Sequence, residues 1–226
     1  MRVLHFLWSG EVGGAERALS QLVASQATDG SIEPGLALGR GRGPYASRVR
    51  LLGVPVIDLG LRGGADFRAL TRGSRALRGW DVHHFHSAEP ALMAASLRVR
   101  GTTRVFTNRG GEVEGDWTAA KRLRHAAAGL MLRWGFHGYS GNTAHAATVA
   151  ARRYRLDPSL VSVTPNGLDF GLLRPARARA EVRTELGAGP RDVLVGTSGV
   201  LKAWKRVDRL LEGVAGASDP RVRAVV

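Results

Sequence analysis

The stretch between the first apolar segment and the first amphipathic segment contains the residues best suited to bind a phosphate. Gly10, Gly13 and Gly14 separate residues 2–7, which read as a buried strand, from a helix that begins near Ala15. Glycine permits positive φ and close approach of a ligand, and the free N–H groups at a helix start favour an anion. The spacing matches neither the dinucleotide fingerprint nor a P-loop. A tight turn without a ligand therefore stays open as the alternative.

Polar side chains also lie at the ends of later strands. His86, Asn108 with Arg109, and Asn142 each fall at such an end. Because ligands of parallel sheets bind beyond the carboxyl ends of the strands, we expect these side chains to converge with the first glycine loop. A structural histidine, satisfied by neighbouring polar groups, is the alternative interpretation of His86.

The histidines of the fourth strand do not predict a metal site. His83, His84 and His86 come without a matching set of carboxylates, and successive residues of a strand point to opposite faces. The chain has no cysteine, which excludes disulfides and thiolate ligands. We therefore expect neither a metal nor a cofactor.

The segments that would position these residues alternate between strand and helix. Such alternation predicts an α/β fold, a Rossmann-like parallel sheet with helices on both faces. Ser87 and Asn142 are expected to be N-caps of the helices that follow them. The patterns predict strands at residues 2–7, 35–38, 54–59, 81–86, 104–108 and 161–164, helices at 45–52, 66–77, 118–136 and 142–154, and a polar loop at 109–112.

The longest predicted helix, residues 118–136, combines apolar and basic residues. A solvated face is the first interpretation of its basic residues Lys121, Arg122, Arg124 and Arg133, and contact with an anionic membrane surface or acceptor is the alternative. The apolar stripe of this helix comprises Leu123, Ala126, Ala127, Leu130, Met131 and Trp134.

Composition narrows the class of protein. The chain has 226 residues, a hydrophobic content of 44% and a net charge of +14, carried mainly by arginines that are spread along the sequence. This charge predicts attraction to anions such as sugar nucleotides. Because zinc-finger spacing and aromatic-basic RNA-binding patterns are absent from the sequence, we expect no nucleic-acid partner. No apolar run approaches the ~18–20 residues of a membrane span, so a cytoplasmic protein is expected.

Three segments, in this order, resemble family 4 glycosyltransferases of the GT-B fold. Residues 13–17 read Gly-Gly-Ala-Glu-Arg, residues 166–169 read Asn-Gly-Leu-Asp, and residues 195–208 run from Val-Gly to Trp-Lys-Arg-Val-Asp. The resemblance covers essentially the whole chain. It implies two Rossmann-like domains, the first holding an acceptor and the second a nucleotide-diphosphate sugar, with transfer that retains the anomeric configuration.

The resemblance also implies roles for individual residues. Gly13 and Gly14 would approach the donor diphosphate, and Lys205 would neutralise its charge as the nucleotide leaves, with a surface lysine as the alternative. Val200 stands where the family usually has an arginine, with Lys202 nearby, and Asn108 stands where it often has a histidine. The catalytic group is therefore unassigned. Cleft or acceptor contact is expected for His86, Asn108, Arg109 and Asn142.

The resemblance divides the chain into residues 1–169, an acceptor-side domain, residues 170–179, a connection, and residues 180–226, part of a donor-binding domain. Because that second domain would be incomplete, we expect a glycosyltransferase-like chain that is inactive alone and is completed by further sequence or by a partner chain. Its acceptor is unidentified, and a lipid-linked acceptor would fit peripheral membrane contact. The alternative is a noncatalytic or partner-dependent binding protein that retains only the acceptor domain.

Overall fold

The computed structural model of the chain describes residues 1–41, 43–63, 66, 74–110, 117–199, 201 and 203–226. Contacts divide the chain into two compact units, Met1–Asp169 and Phe170–Val226. Residues 67–73 of the predicted third helix, residues 111 and 112 of the predicted polar loop, and positions 200 and 202 lie outside the described residues.

The first unit is built on a seven-stranded parallel sheet with the strand order β3-β2-β1-β4-β5-β6-β7. The chain builds outwards from β1 to β3 and then returns to the other side of β1 to form β4. The carboxyl ends of β1 and β4 therefore flank a topological switch point, where open α/β sheets form their ligand crevice. The strands are β1 Arg2–Ser9, β2 Glu33–Arg40, β3 Val56–Asp58, β4 Val82–Phe85, β5 Thr103–Asn108, β6 Gly138–Gly141 and β7 Val161–Val163.

Helices cover both faces of this sheet, which confirms the predicted Rossmann-like α/β class. The side chains of β1 alternate between two cores, with Leu4 and Phe6 in one and Leu7 in the other. Helices α1 and α2 pack on the Leu7 side, and α3, α4 and α5 supply buried residues to the core of Leu4 and Phe6. The helices are α1 Gly14–Asp29, α2 Pro44–Leu51, α3 Pro90–Leu97, α4 Ala119–Gly135 and α5 Ala144–Tyr154.

Two predicted helix starts are wrong. Helix α3 begins at Pro90 with Glu89, not Ser87, at the N-cap, because a proline forces the residue before it into extended backbone; Glu89 has φ −95° and ψ 113°. Helix α5 is capped by Thr143, whose hydroxyl accepts a hydrogen bond from the Ala146 amide at 3.0 Å. Asn142 precedes that cap, so its side chain is available for another contact.

Much of the apolar stripe of α4 does not face the core, although Met131 packs against it. Leu123, Leu130 and Trp134 are 72%, 52% and 83% exposed, and we call these three residues the exposed stripe. The buried face carries small residues because α4 packs closely on α5; a Cβ on Gly129 would lie 3.3 Å from the carbonyl oxygen of Tyr154. No helix in the described parts of the chain has the length and apolar character needed to cross a bilayer. The buried residues of α4 are His125, Ala128, Gly129 and Leu132.

The second unit has two parallel strands, β8 Val193–Gly196 and β9 Val222–Val225, and two helices, α6 Arg179–Glu185 and α7 Val207–Ala215. Among its described residues none is fully buried. The apolar residues Val193 and Leu211 are about half exposed, as expected for a sheet of two strands, which cannot bury both of its faces.

Candidate functional site

Arg109 is the central side chain of a polar cluster at the carboxyl edge of the sheet. It directly follows β5, and its guanidinium is half-buried. Its Nε donates to Nδ1 of His86 at 2.9 Å, and its Nη1 donates to Oδ1 of Asn166 at 2.6 Å. His86 follows β4 and Asn166 follows β7. Arg109 therefore connects segments that leave three different strands.

The backbone around Arg109 is fixed by two asparagines. Asn142, after β6, donates from its amide group to the carbonyl oxygen of Arg109 at 3.2 Å, and its backbone N–H donates to the carbonyl of Asn108 at 3.0 Å. The side chain of Asn108 donates to the carbonyl of Ala146 at 2.8 Å and accepts from the N–H of Gly110 at 3.3 Å. The structure thus brings His86, Asn108, Arg109 and Asn142 together, as the strand ends predicted, while their functions remain proposals.

A histidine that sequence reasoning missed extends the cluster beneath the sheet edge. Nδ1 of His5, on β1, lies 3.0 Å from Nε2 of His86, and Nε2 of His5 lies 2.8 Å from Oε1 of Gln26 on α1. The apolar residues around His5 concealed it, although a fully buried histidine in the central strand needs polar partners. Its position opposite His84 follows from the pairing of β1 with β4, which local sequence patterns do not give.

Arginine can only donate, and this fact fixes the direction of the whole chain of hydrogen bonds. Because Nε–H of Arg109 donates to Nδ1 of His86, the proton of neutral His86 is on Nε2 and is donated to Nδ1 of His5. His5 then carries its own proton on Nε2 and donates it to Gln26. One set of tautomers therefore satisfies the guanidinium, both rings and the amide oxygen.

Burial keeps the histidines of this cluster uncharged. It lowers the pKa of His5 to about 4, a fall that the hydrogen bond to Gln26 opposes and the charge of Arg109 reinforces. Burial, with smaller effects of His5 and Arg109, lowers the pKa of His84 to about 3. Burial also holds the pKa of His86 well below its usual value. At neutral pH Arg109 is therefore the charged member of an otherwise neutral cluster.

His5, His84 and His86 are close enough to be considered as metal ligands, because one ring nitrogen of each lies within 4.8 Å of the others. The hydrogen bonds argue against that assignment. A metal on Nε2 of His86 would displace the proton that His86 donates to His5, and Nδ1 already accepts from Arg109, so His86 would have to become an imidazolate. His83 points to the opposite face, where it contacts Ser96 and Leu77. The cluster fits a hydrogen-bond relay better than a metal site.

The first glycine loop follows β1, beside β4. Gly13 is the N-cap of α1 with φ −162°, and neither Gly10, Gly13 nor Gly14 has positive φ, which corrects one reason given for these glycines. A Cβ on Gly14 would meet nothing within 4 Å. A Cβ on Gly10, by contrast, would lie 2.9 Å from Cβ of Ala46 on α2. Gly10 therefore permits close packing, and Gly14 leaves open space at the N–H groups of the first turn of α1.

A small cavity lies beside Asn108. Its volume is about 100 Å³, and its wall includes His86, Asn108, Gly110 and Ser87. The hydroxyl of Ser87 is buried and has no hydrogen-bond partner among the described residues. A buried hydroxyl without a partner costs free energy, so this wall offers a polar contact to a bound hydroxyl group or water.

Lys205 belongs to the second unit. It is exposed and ends a short 3-10 helix, Ala203–Lys205, just before α7. The neighbouring Arg206 has positive φ and pairs with Asp208 at 2.8 Å. Lys205 is thus presented near the start of a helix, a position that favours anions.

Comparison with known structures shows the fold. The structure of HepE from Anabaena in complex with UDP has a TM-score of 0.80 and 17% sequence identity, and it covers 99% of this chain. A glycosyltransferase from Rickettsia africae gives a TM-score of 0.70 at 12% identity. WaaG, a glycosyltransferase of lipopolysaccharide biosynthesis, gives 0.64 at 16% identity. The chain spans 60%, 67% and 62% of these three chains, respectively.

Sequence comparisons agree with the fold. A D-inositol 3-phosphate glycosyltransferase from Segniliparus rotundus is 34% identical over 87 residues, which make up 38% of this chain and 19% of that protein. The model of Glycosyltransferase Family 4 matches residues 12–171, most of the chain and nearly all of the first unit. The parallel sheet, its strand order and this match give the same answer: the chain belongs to glycosyltransferase family 4 and has the Rossmann-like architecture of the GT-B fold.

Proposed function

We propose that this chain takes part in transferring a sugar from a nucleotide-diphosphate sugar to an acceptor, with retention of the anomeric configuration. The observation that carries the proposal is the cluster around Arg109. This chain belongs to glycosyltransferase family 4. Its polar side chains that follow β4, β5, β6 and β7 meet at the sheet edge where α/β proteins bind ligands. UDP-glucose is the donor probe of choice because HepE has been crystallised with it.

The donor contacts proposed are Gly13, Gly14 and Lys205. The open space at Gly14 and the N–H groups of the first turn of α1 favour a phosphate. Lys205 supplies a positive charge that would stabilise the nucleotide diphosphate as it leaves. His86, Asn108, Arg109 and Asn142 are proposed to line the acceptor side, where the cavity beside Ser87 offers a contact for a sugar hydroxyl.

We further propose that transfer requires protein surface in addition to this chain. The two strands and two helices of the second unit leave Val193 and Leu211 half exposed, so a donor site built on them would need more strands and helices, supplied by further sequence or by a partner chain. The second candidate is a noncatalytic binding protein that keeps the acceptor domain. The half-exposed Val193 and Leu211 support this candidate too, because a partner chain could cover them.

The experiment mixes the 226-residue chain with UDP-glucose and a panel of sugar and lipid-linked acceptors. We expect binding of UDP-glucose without sustained glycoside formation. Sustained formation that disappears in Gly14→Val would contradict the need for further protein, and NMR of the product anomer would then test retention. The DNA sequence after the Val226 codon separates the two candidates, because a longer reading frame with further strands and helices supports the enzyme and a stop codon favours the noncatalytic protein.

We also propose that α4 contacts an anionic membrane surface. The residues of the exposed stripe, Leu123, Leu130 and Trp134, lie on one side of α4 at helical spacing. At about 100° per residue, Arg122 and Arg133 lie on one flank of the stripe and Arg124 on the other. Large apolar side chains bordered by arginines are the pattern of a helix that lies in a bilayer interface. A lipid-linked acceptor would be reached from that position.

A further inference from the structure

Arg109 is a positive charge that neutral side chains hold in place in the described part of the chain. Among the described residues no carboxylate makes an ion pair with it; its side-chain partners are His86 and Asn166, and both are neutral. Burial lowers the pKa of Arg109, which shows that the site disfavours the charge it contains. A half-buried guanidinium has lost hydration, and two hydrogen bonds to neutral groups replace that hydration only in part.

The side chain of Arg109 is nonetheless tightly positioned. The ring of His86 holds Nε, the amide oxygen of Asn166 holds Nη1, and Asn142 fixes the backbone carbonyl. His86 is itself fixed through His5 and Gln26. Ordering an arginine in this way costs conformational entropy during folding, so a ligand that binds the guanidinium does not have to order the side chain.

The hydrogen-bonding capacity left on Arg109 points to the class of ligand. A guanidinium has five N–H donors, and the described residues accept from two of them. Both N–H groups of Nη2 and the second N–H of Nη1 are left, and these are adjacent donors of the kind that bind two oxygens of a phosphate or carboxylate. The rings of His5, His84 and His86 are neutral, so they do not repel such an anion and do not neutralise the charge of Arg109 in its place.

We propose that Arg109 binds an oxyanion, the phosphate or carboxylate group of a substrate, and that the chain His86–His5–Gln26 positions it for this purpose. The inference rests on the proposed function for the identity of the bound molecule, since the oxyanion belongs either to the acceptor or to the diphosphate of the donor. In both cases Arg109 selects a substrate with a negatively charged group at this end of the sheet.

Inorganic phosphate is the probe for this site. The 226-residue chain is titrated with phosphate while the Nε–H signal of Arg109 is followed by ¹H–¹⁵N NMR. We expect a saturable shift of that signal, and we expect Arg109→Gln to weaken phosphate binding about tenfold or more, as is typical for loss of charge-assisted hydrogen bonds. Arg109→Lys keeps the charge and loses the paired donors, so its affinity should lie between those of the wild type and Arg109→Gln.

Arg98→Gln is the matched control, because Arg98 is exposed at the end of α3 and the substitution removes the same charge. Circular dichroism establishes that each variant is folded. Equal phosphate affinity in Arg109→Gln and Arg98→Gln, or the absence of a saturable shift of Arg109, would overturn the proposal. If both variants bound phosphate more weakly than the wild type and to the same extent, the proposal would also be overturned, since phosphate would then respond to the net charge of the chain alone.

Saturating UDP-glucose identifies the source of the oxyanion. If phosphate still binds to Arg109 while UDP-glucose is bound elsewhere on the chain, the group belongs to the acceptor. If UDP-glucose displaces phosphate, the group is the donor diphosphate. Both outcomes support the oxyanion site. Failure of the proposed function gives a different result, in which phosphate binds at Arg109 but UDP-glucose binds nowhere on the chain.

Discussion

Gly10 and Ala46 are in such close contact that a side chain on Gly10 would place its Cβ 2.9 Å from Cβ of Ala46 and 3.1 Å from the Ala46 amide nitrogen. The loop after β1 is thereby packed against α2, and the N–H of Tyr45 donates to the carbonyl of Gly10 at 3.1 Å. Gly10 therefore has a structural role in this loop. Gly14, with open space above it, remains available for a ligand.

This difference gives the first expectation. Gly10→Ala should lower the free energy of unfolding by about 1–3 kcal/mol, because the added methyl group overpacks the contact with α2. Gly14→Ala should leave stability unchanged or raise it by up to about 1 kcal/mol, because alanine favours the helix and fits the space. Urea unfolding of the two variants measures both values. A stable Gly10→Ala protein alongside a destabilised Gly14→Ala protein would reverse our assignment of the two glycines.

The second expectation concerns pH. Since the folded state lowers the histidine pKa values, the unfolded chain, with an ordinary pKa of about 6.5, binds more protons as pH falls. The stability contributed by neutral His5 is present above about pH 6.5 and is lost as pH falls towards the folded value of about 4. The same sign holds for His84 and His86. The unfolding free energy should therefore fall as pH falls through this window.

Urea unfolding at several pH values tests this expectation. His84→Gln should reduce the slope of unfolding free energy against pH, since glutamine does not titrate and its amide can replace the contact of His84 with Thr107. His145→Gln serves as the control, because His145 is exposed near the start of α5. An unfolding free energy that stays constant between neutral pH and about pH 4 would be incompatible with neutral, buried rings.

The third expectation concerns the exposed stripe of α4. The double variant Leu130→Ser, Trp134→Ala should lose binding to vesicles that contain anionic phosphatidylglycerol, while its stability changes little because both side chains are exposed. Reversing Arg122 and Arg124 to glutamate should weaken the same binding about tenfold or more and reduce its dependence on salt. Vesicle co-sedimentation at several salt concentrations measures both effects.

Leu51 provides the control for the stripe, because it is 86% exposed on α2 and Leu51→Ser repeats the Leu130→Ser substitution elsewhere. Binding to neutral phosphatidylcholine vesicles as strong as binding to anionic ones would exclude a role for the arginines. Binding that Leu51→Ser weakens as much as the double variant would show that α4 is not the contact surface.

The alternation of strands and helices was sufficient to predict the fold class, because parallel strands buried on both faces leave nearly continuous apolar runs. It also predicted that the residues after β4, β5 and β6 would converge, since the carboxyl ends of parallel strands share one edge. The face of α4 could not be predicted in the same way. Its largest apolar side chains are exposed, whereas Ala128 and Gly129 are buried because close packing against α5 requires small residues.

His5 shows a second limit of sequence reasoning. In an apolar strand a single histidine has no periodic signature, and its partners Gln26 and His86 are distant in sequence. The contacts that make His5 part of the cluster arise when β4 pairs with β1 after the crossover of the chain. The relay from Arg109 to Gln26 therefore follows from topology and cannot be read from local spacing.

The most direct test of the account is a ¹H–¹⁵N NMR titration of the 226-residue chain with UDP-glucose. We expect saturable shifts of the amide signals of Gly14 and the next residues of α1, since the first N–H groups of a helix have no acceptor within the helix and Gly14 has open space beside it. Gly14→Val should abolish these shifts by filling that space, whereas Gly63→Val, where a Cβ also meets nothing within 4 Å, should keep them. No saturable shift in the wild type, or equal binding of UDP-glucose by both variants, would contradict the proposed nucleotide-sugar site.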